Sequence, residues 1–469
     1  MSSAAPPSKA AVVANFKKAV ETGKVNTEKE HKSRQARYRT FNVHTEGATG
    51  DACLQAQQRF AERESKAVLA KCKQWTTADF EGVKILGEGS FGVVHLVNRR
   101  GTDEYYALKE VQKERIRDKN RECAFDERKL LAEARSRWFV ELFATFQDAK
   151  RIYMVMEFLQ GGDLVFHLMQ RTRFTKEQTS FYMAELLEAL DTVHKFGFVH
   201  RDVKPDNMVL TAQGHLKLLD FGLCKSDQAV DDVTAPSAKL EPVAELKPVP
   251  IPVVPATRRE QLRSVVGTPE YMAPEVYKGD SSKESDIWSL GVIACECLIG
   301  RPPFAVDSGN REVRKVRQKV LRHKEIVTPM LKCAVQKNII SSVSQQFLHC
   351  VLCEREQRLS ADNLRRHPFF FGLDFDRLHE MKPPIVPPLK GPGDAACFDD
   401  FGKQPLPDVM PYSSKDRSLQ WAHYEFNKEA AELLGPALEH GELFAAGEDP
   451  VNGALPQLPN RTIVVKASF

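Results

Sequence analysis

No stretch of this 469-residue chain approaches the roughly 18 consecutive apolar residues that cross a bilayer, so no membrane span is expected. Its opening residues, MSSAAPPSKAAVVANFKK, lack the apolar core and cleavage site of a secretory signal. Net charge is small, +4, which makes no case for nucleic acid, whose binders concentrate basic residues on one face. Zinc-finger pairing is missing too. The 10 cysteines are scattered. Cys350 and Cys353 form a CxxC and Cys295 lies close to Cys297, but neither has a second pair at metal-site spacing. Buried, reduced thiols in helices are expected, in keeping with a reducing cytosolic or nuclear compartment.

What is present is ordinary globular composition, 42% hydrophobic and 28% charged, in a chain long enough for one two-lobed domain of about 290 residues plus flanking segments. Residues 1–50, rich in Ala, Lys, Glu and Ser, are expected to be mostly disordered. Residues 51–79 carry a basic helical pattern, with Leu54, Phe60, Val68 and Leu69 among many Lys, Arg, Glu and Gln. From Phe80, FEGVKILGEGSFGVVHLVNR reads as strand, glycine turn and strand, and YYALKEV as a third strand. Residues near 121–136 read as a helix and RIYMVMEF as a buried strand. From Thr175 helical periods take over, in EQTSFYMAELLEALDTVHKFG and SDIWSLGVIACECLIG. An α+β fold follows, with a β-rich lobe over 80–158, a helical lobe over 159–370 and a cleft between them. The stretch 227–257 breaks the pattern. Its prolines (Pro236, Pro242, Pro248, Pro250, Pro252, Pro255) and lack of aromatics predict a flexible or polyproline-like insert. Pro and Gly cluster again at 383–393, where the chain leaves the helical lobe.

Gly87-Glu88-Gly89-Ser90-Phe91-Gly92 has GxGxxG spacing. A dinucleotide site would open a helix at this point. Between two strands, the glycines instead let backbone N–H groups approach phosphates closely, with Val94 and Ala107 as a roof for adenine. Lys109 stands where a cationic tether for the α- and β-phosphates belongs; an ordinary strand-end lysine is the alternative. Its partner lies on the next helix, among Glu122, Asp126, Glu127 and Glu133, and the spacing to Leu130 and Leu131 favours Glu127. His200-Arg201-Asp202-Val203-Lys204-Pro205-Asp206-Asn207, followed by Asp220-Phe221-Gly222, is the most specific signal. Asp202 is the candidate base for a substrate hydroxyl, and Lys204 the group that neutralises a γ-phosphate in the transition state. Asn207 and Asp220 offer the hard oxygens that suit magnesium. Each alone reads as a turn residue; the ordered set does not. Gly267-Thr268-Pro269-Glu270-Tyr271 and Ala273-Pro274-Glu275 close a segment suited to a peptide substrate. Glu275 needs a buried partner, for which Arg358 is the candidate, and Asp286 is expected to accept backbone N–H bonds from the catalytic loop.

From about Phe80 to Phe426 these residues resemble a eukaryotic protein kinase of the AGC group, most of all its NDR and large-tumour-suppressor branch. The resemblance implies a bilobal protein kinase fold over 80–370, ATP and Mg²⁺ as cofactors, Ser or Thr as acceptor, and Glu157 and Phe158 within the nucleotide set. It places the activation-segment phosphosite at Ser264, a target for an upstream kinase. The family's insert is usually basic; here 227–257 is rich in Pro and Val, with Arg258 and Arg259 only at its end. Residues 371–426 resemble the AGC C-terminal extension. HPFFFGLDFDRL and Phe398-Asp399-Asp400-Phe401 match the part that wraps the small lobe, and Trp421-Ala422-His423-Tyr424-Glu425-Phe426 matches the hydrophobic motif that docks in a small-lobe groove. An ordinary amphipathic helix is the alternative for 421–426. The family has Ser or Thr where Glu425 stands, so Glu425 is expected to supply a permanent negative charge. QQRFAERESKAVLAKCKQW is similar to the region that binds MOB coactivators, with Arg59, Arg63, Lys66, Lys71 and Lys73 facing an acidic partner. Asp163 in QGGDL and Asp206 in KPDN stand where AGC kinases receive a basic substrate residue upstream of the acceptor. Residues 427–469 carry no reading. The rival readings are a pseudokinase scaffold, which degraded catalytic residues would signal, and a small-molecule phosphotransferase, which would not need the GTPEY…APE platform.

Overall fold

The computed structural model describes residues 75–89, 92–116, 118–226, 269–306, 313–402, 405–407, 421 and 424–428. The expected disordered start, the basic helix of 51–74, Ser90, Phe91, the 227–257 insert, Ser264 and the tail after 428 lie outside these residues.

Strands β1 (Phe80–Gly89), β2 (Gly92–Arg99), β3 (Tyr105–Gln112), β4 (Leu142–Gln147) and β5 (Arg151–Glu157) form an antiparallel sheet in the order β1-β2-β3-β5-β4. Alternation along each strand sorts side chains to two faces. Tyr153 and Val155 join Phe80, Val97, Tyr106, Leu108, Ala144 and Phe146 on the outer face, which Trp75 and Leu406 help to cover. Edge-on ring contacts seal it, Trp75 to Tyr106 at 5.4 Å and Tyr106 to Phe143 at 5.1 Å. Met154, Met156, Leu96 and Ala107 face the other way, into the main core. Helix α1 (Asp118–Ala134) crosses between β3 and β4 and buries Leu130 and Leu131 there.

The second lobe is helical. α2 (Leu164–Arg171) starts at Asp163, whose carboxylate accepts from the Phe166 amide at 2.7 Å. α3 (Lys176–Lys195) begins with a Thr175–Gln178 capping box. α4 (Lys283–Ile299) is buried on all sides from Ser285 to Ile299, as its apolar sequence requires of a central helix. α3 and α4 form the centre, surrounded by α5 (Val313–Leu321), α6 (His323–Gln336), α7 (Ser342–Val351) and α8 (Ala361–Arg365). Short pairs β6 (Phe198–Val199) with β9 (Lys225–Ser226), and β7 (Met208–Leu210) with β8 (Leu216–Leu218), lie at the face toward the first lobe. One apolar cluster runs from Leu86 and Leu96 through Leu130 into α3 and α4, so the lobes share a core.

After α8 the chain climbs back along the domain. Ile385 is buried, and the Tyr182 hydroxyl lies 3.4 Å from its carbonyl. Gln160 Nε2 donates to the Gly391 carbonyl at 2.6 Å, and Lys84 Nζ to that of Phe398 at 3.2 Å. The Ile85 amide donates to Gly402 at 3.2 Å. The chain then adds β10 (Phe426–Asn427) antiparallel to β4, the sixth strand of the sheet. Of residues 421–426 only Phe426 belongs to that strand, Trp421 lies in a 3-10 turn, and Tyr424 and Glu425 are irregular. The described cysteines are free thiols as expected, but Cys224, Cys353 and Cys397 lie outside helices and Cys123, Cys333, Cys350 and Cys353 are only half-buried.

Candidate active site

The glycine turn joins β1 to β2, with Gly89 opposite Gly92. Gly92 has φ 149°, and a Cβ there would stand 1.9 Å from the Glu110 carbonyl oxygen, so no other residue fits. Around Gly87 and Gly89 nothing lies within 4 Å of an added Cβ, which leaves their backbone open to a ligand. Glu88 is exposed beside them. Val94 pairs in register with Lys109 on β3, and Ala107, two residues earlier, shares the Lys109 face. Phe158 follows β5 and packs on Phe398 of the C-terminal extension, ring centroids 5.9 Å apart. The Glu157 side chain is ion-paired with Lys217 of β8 at 2.5 Å, leaving its backbone as the part offered to the cleft.

Lys109 sits at the centre of the charges. Its Nζ is 2.7 Å from Glu127 Oε1 and 2.8 Å from Asp220 Oδ1. Of the four acids considered for this partner, Glu127 is the one brought to it, because it shares the buried side of α1 with Leu130 and Leu131. Burial works against the Lys109 charge, but the two carboxylates overcome it and hold the ammonium well above its ordinary range. Burial likewise works against the Asp220 carboxylate, yet Lys109 draws it below its ordinary range. Asp220 has φ 56° and Arg201 φ 70°, left-handed conformations rare outside glycine that store strain at this site. A Cβ on Gly222 would approach Asp220 Oδ1 to 3.2 Å and Glu127 Oε2 to 3.5 Å, which explains the small residue there.

The loop carrying Asp202 is held from below by Asp286, at the start of α4. Its Oδ2 accepts from the His200 amide at 2.9 Å and its Oδ1 from the Arg201 amide at 3.0 Å. His194 Nε2 adds a third bond at 2.8 Å. These bonds, despite burial, keep Asp286 ionised below its ordinary range. Lys204 Nζ meets Asp202 Oδ2 at 2.5 Å. Asn207 Nδ2 donates to the Asp202 carbonyl at 2.8 Å and to Oδ2 at 3.2 Å, so its amide oxygen is the atom left for a ligand. Burial raises the Asp202 carboxyl despite the nearby Lys204, as suits a group that takes up a proton. Among the described residues no cluster of three or more His, Cys, Asp or Glu could hold a metal. Asn207 and Asp220 fit a magnesium ion that completes its shell with phosphate oxygens and water.

The platform is anchored as expected. Arg358 Nη1 lies 2.6 Å from Glu275 Oε1, and Arg358 Nη2 3.3 Å from Oε2, both buried. Tyr271 donates to Glu296 Oε2 at 2.5 Å. Asp206 is half-buried beside Lys204, while the Asp163 carboxylate is engaged at the α2 N-terminus. At the far edge of the sheet, Trp421 and Tyr424 are buried against Val111, Ile152, Ala124 and Phe125. Phe125 stacks on Trp421 at 5.7 Å and meets Tyr424 edge-on at 5.5 Å. Thr145 Oγ1 donates to the Tyr424 carbonyl at 2.6 Å and Gln147 Nε2 to that of Trp421 at 2.9 Å. Glu425, between Tyr424 and Phe426, is exposed, and Phe426 is half-buried in β10. Sequence reasoning missed Lys217, His194, Glu296 and the Phe158–Phe398 contact. Their partners lie dozens to hundreds of residues away, and no spacing signal marks them.

The protein kinase domain family matches residues 80–370. The probable serine/threonine-protein kinase ndrB of Dictyostelium discoideum is 33% identical over 378 residues, 76% of this chain and 69% of that protein. The serine/threonine-protein kinase sax-1 of Caenorhabditis briggsae is 37% identical over 73% of this chain and 74% of its own, and CBK1 of Pneumocystis carinii 31% over 78% and 77%. With the lysine, acid and amide constellation in place on this fold, the chain belongs to the protein kinase family, in the NDR and large-tumour-suppressor branch of the AGC serine/threonine kinases.

Proposed function

We propose that this kinase is catalytically active and transfers the γ-phosphate of ATP to Ser or Thr of protein substrates with basic residues near the acceptor. One observation carries the reading: Lys109 bonds Glu127 and Asp220 at once, so the phosphate tether and the metal-binding acid are already drawn to one point. The Gly87–Gly92 backbone covers the phosphates, and Val94, Ala107, Glu157 and Phe158 line the adenine. Asp202 orients the substrate hydroxyl and receives its proton at a carboxylate oxygen, an effect worth about 10²–10⁴-fold. Lys204 offsets the charge on the moving phosphoryl group. Asn207 and Asp220 would hold a magnesium ion, which would supply charge neutralisation to the phosphates.

Control belongs to the same reading. Ser264 takes phosphate from an upstream kinase, residues 51–76 bind a MOB coactivator, and Asp163 and Asp206 receive the substrate's basic residues. Glu425 stands in for hydrophobic-motif phosphate, supported by its exposed place directly after the docked Tyr424. Residence in the reducing cytoplasm or nucleus completes the proposal. The test is a radiolabel transfer assay on a basic Ser/Thr peptide, with and without a MOB partner, with phosphosite mapping at Ser264. Wild type is expected to be active and Asp202→Ala inactive; equal transfer by both would refute the assignment. Unchanged activity and stability in Glu425→Ala would remove the stand-in role.

A further inference from the structure

The segment that joins the lobes beside the adenine position is tied to one hairpin at two places. β5 ends at Glu157, and the chain is held again at Gly161, whose amide donates to the Leu210 carbonyl of β7 at 2.9 Å. The Leu210 amide donates back to the Gly162 carbonyl at 3.0 Å. Glu157 is held through its side chain instead. Its Oε2 accepts from Lys217 Nζ of β8 at 2.5 Å and from the Glu141 amide, just before β4, at 3.4 Å. β7 and β8 pair antiparallel, with Leu210 opposite Leu216 and Val209 opposite Lys217, so both ties end on neighbouring rungs.

The same hairpin carries the candidate metal ligands. Asn207 directly precedes β7, and Asp220 follows β8 by two residues. The Leu219 amide donates to the Asn207 carbonyl at 2.9 Å, which keeps those two ends in step. We propose that Lys217 is a positioning residue for the nucleotide. Its ion pair with Glu157 registers the adenine-lining backbone against the hairpin that holds Asn207 and Asp220, so base and phosphates are met at a fixed separation. The side chains of Lys217 and Glu157 are only 16% and 29% exposed, so water screens the pair less than one on open surface. The fold does not depend on it. The adjacent Leu218 amide donates to the Trp138 carbonyl at 2.8 Å, and its carbonyl accepts from Val140 at 3.3 Å, so β8 stays joined to the first lobe without the lysine. What Lys217 adds is the tie to the residue that ends β5. Its loss loosens the adenine edge of the site and leaves the metal end in place.

This inference rests on the nucleotide site proposed above, so its test separates the two. Lys217→Met keeps most of the stem and removes the charge. With Mg-ATP and a basic Ser-containing peptide, it is expected to raise KM for ATP about three- to tenfold, with kcat and the peptide KM unchanged. Adenosine carries the base without phosphate, and its inhibition constant is expected to rise by the same factor. Lys217→Arg, which keeps the charge, is expected to recover most of both losses. Glu157→Gln is expected to match Lys217→Met, and the double variant to lose no more than either alone, because each removes the same pair. Binding of a ribose-labelled fluorescent ADP to the full chain, read by anisotropy, repeats the comparison without catalysis. No transfer by wild type, with ADP affinity still lowered in Lys217→Met, would defeat the kinase reading alone. Unchanged KM for ATP and unchanged ADP affinity in Lys217→Met would overturn the positioning role. So would a loss seen with ATP and absent with adenosine, additive losses in the double variant, or a fall in kcat and Tm at constant KM, the mark of a structural contact.

Discussion

Replacing Tyr424 tests how the C-terminal segment governs the nucleotide site. Tyr424 is fully buried against Phe125, Trp421, Val111 and Ile152. Its hydroxyl has no hydrogen-bond partner among the described residues. Two substitutions should therefore move in opposite directions. Tyr424→Ala removes a buried ring at a cost of about 3–5 kcal/mol. Taken against docking alone, that is a shift of roughly two to four orders of magnitude in the docked-to-undocked ratio. β10 holds only Phe426 and Asn427 against β4, too short a ladder to offset the loss. Phe125 lies two residues before Glu127 on α1, so undocking loosens the helix that holds the Lys109 partner. Tyr424→Phe instead keeps the ring and relieves a buried, unsatisfied hydroxyl, worth about 1–3 kcal/mol. Hydrogen exchange at β4 and α1, together with KM for ATP, is the assay. Tyr424→Ala should lose protection in both elements and raise KM for ATP; Tyr424→Phe should gain protection and raise Tm by a few degrees, roughly 2–4 °C. Unchanged exchange in Tyr424→Ala, or destabilisation by Tyr424→Phe, would refute the reasoning.

Arg358→Ala should lower unfolding stability by about 3–5 kcal/mol in urea, because it leaves the buried Glu275 carboxylate without its cation. Arg358→Lys should recover little, since the guanidinium also donates to the Glu284 and Cys353 carbonyls at 2.5 and 3.0 Å. His167 gives a pH signature. Burial depresses its imidazole from the ordinary 6.5 to about 4, and its Nε2 bonds the Gly161 carbonyl at 2.7 Å. The unfolded chain therefore binds the proton first. The stability that His167 contributes is complete above pH 6.5 and is lost as pH falls toward 4, by about 3 kcal/mol. Urea midpoints measured across that window should fall less steeply in His167→Gln than in wild type; parallel curves would exclude His167 as the source.

Much of this site was legible in the chain because its chemistry is local. Asp202, Lys204 and Asn207 lie within six positions, and the turn that carries them keeps them together whatever surrounds it. The glycine loop was legible for the same reason, since two strands and a turn are a short-range unit. Glu127 was reached only as the best of four acids, on the helical spacing that places it with Leu130 and Leu131; tertiary packing then aimed that face of α1 at Lys109. Asp286 could be named as a support for the loop, but not its bond to His194, which depends on how α3 crosses α4.

What the amino-acid order determined by itself is the kind of chemistry: the catalytic set and the two-lobe division, each set by near neighbours and periodicity, whereas the aromatic motif at 421–426 is legible only through its resemblance to the AGC C-terminal extension. What only the tertiary structure decided is which distant groups share one place. Lys109 and Asp220 are 111 residues apart and meet at 2.8 Å, and Tyr424 and Thr145 are 279 apart and meet at 2.6 Å. Contacts of that separation are chosen by burial of the shared core across both lobes, an energy summed over the whole domain that no local window contains.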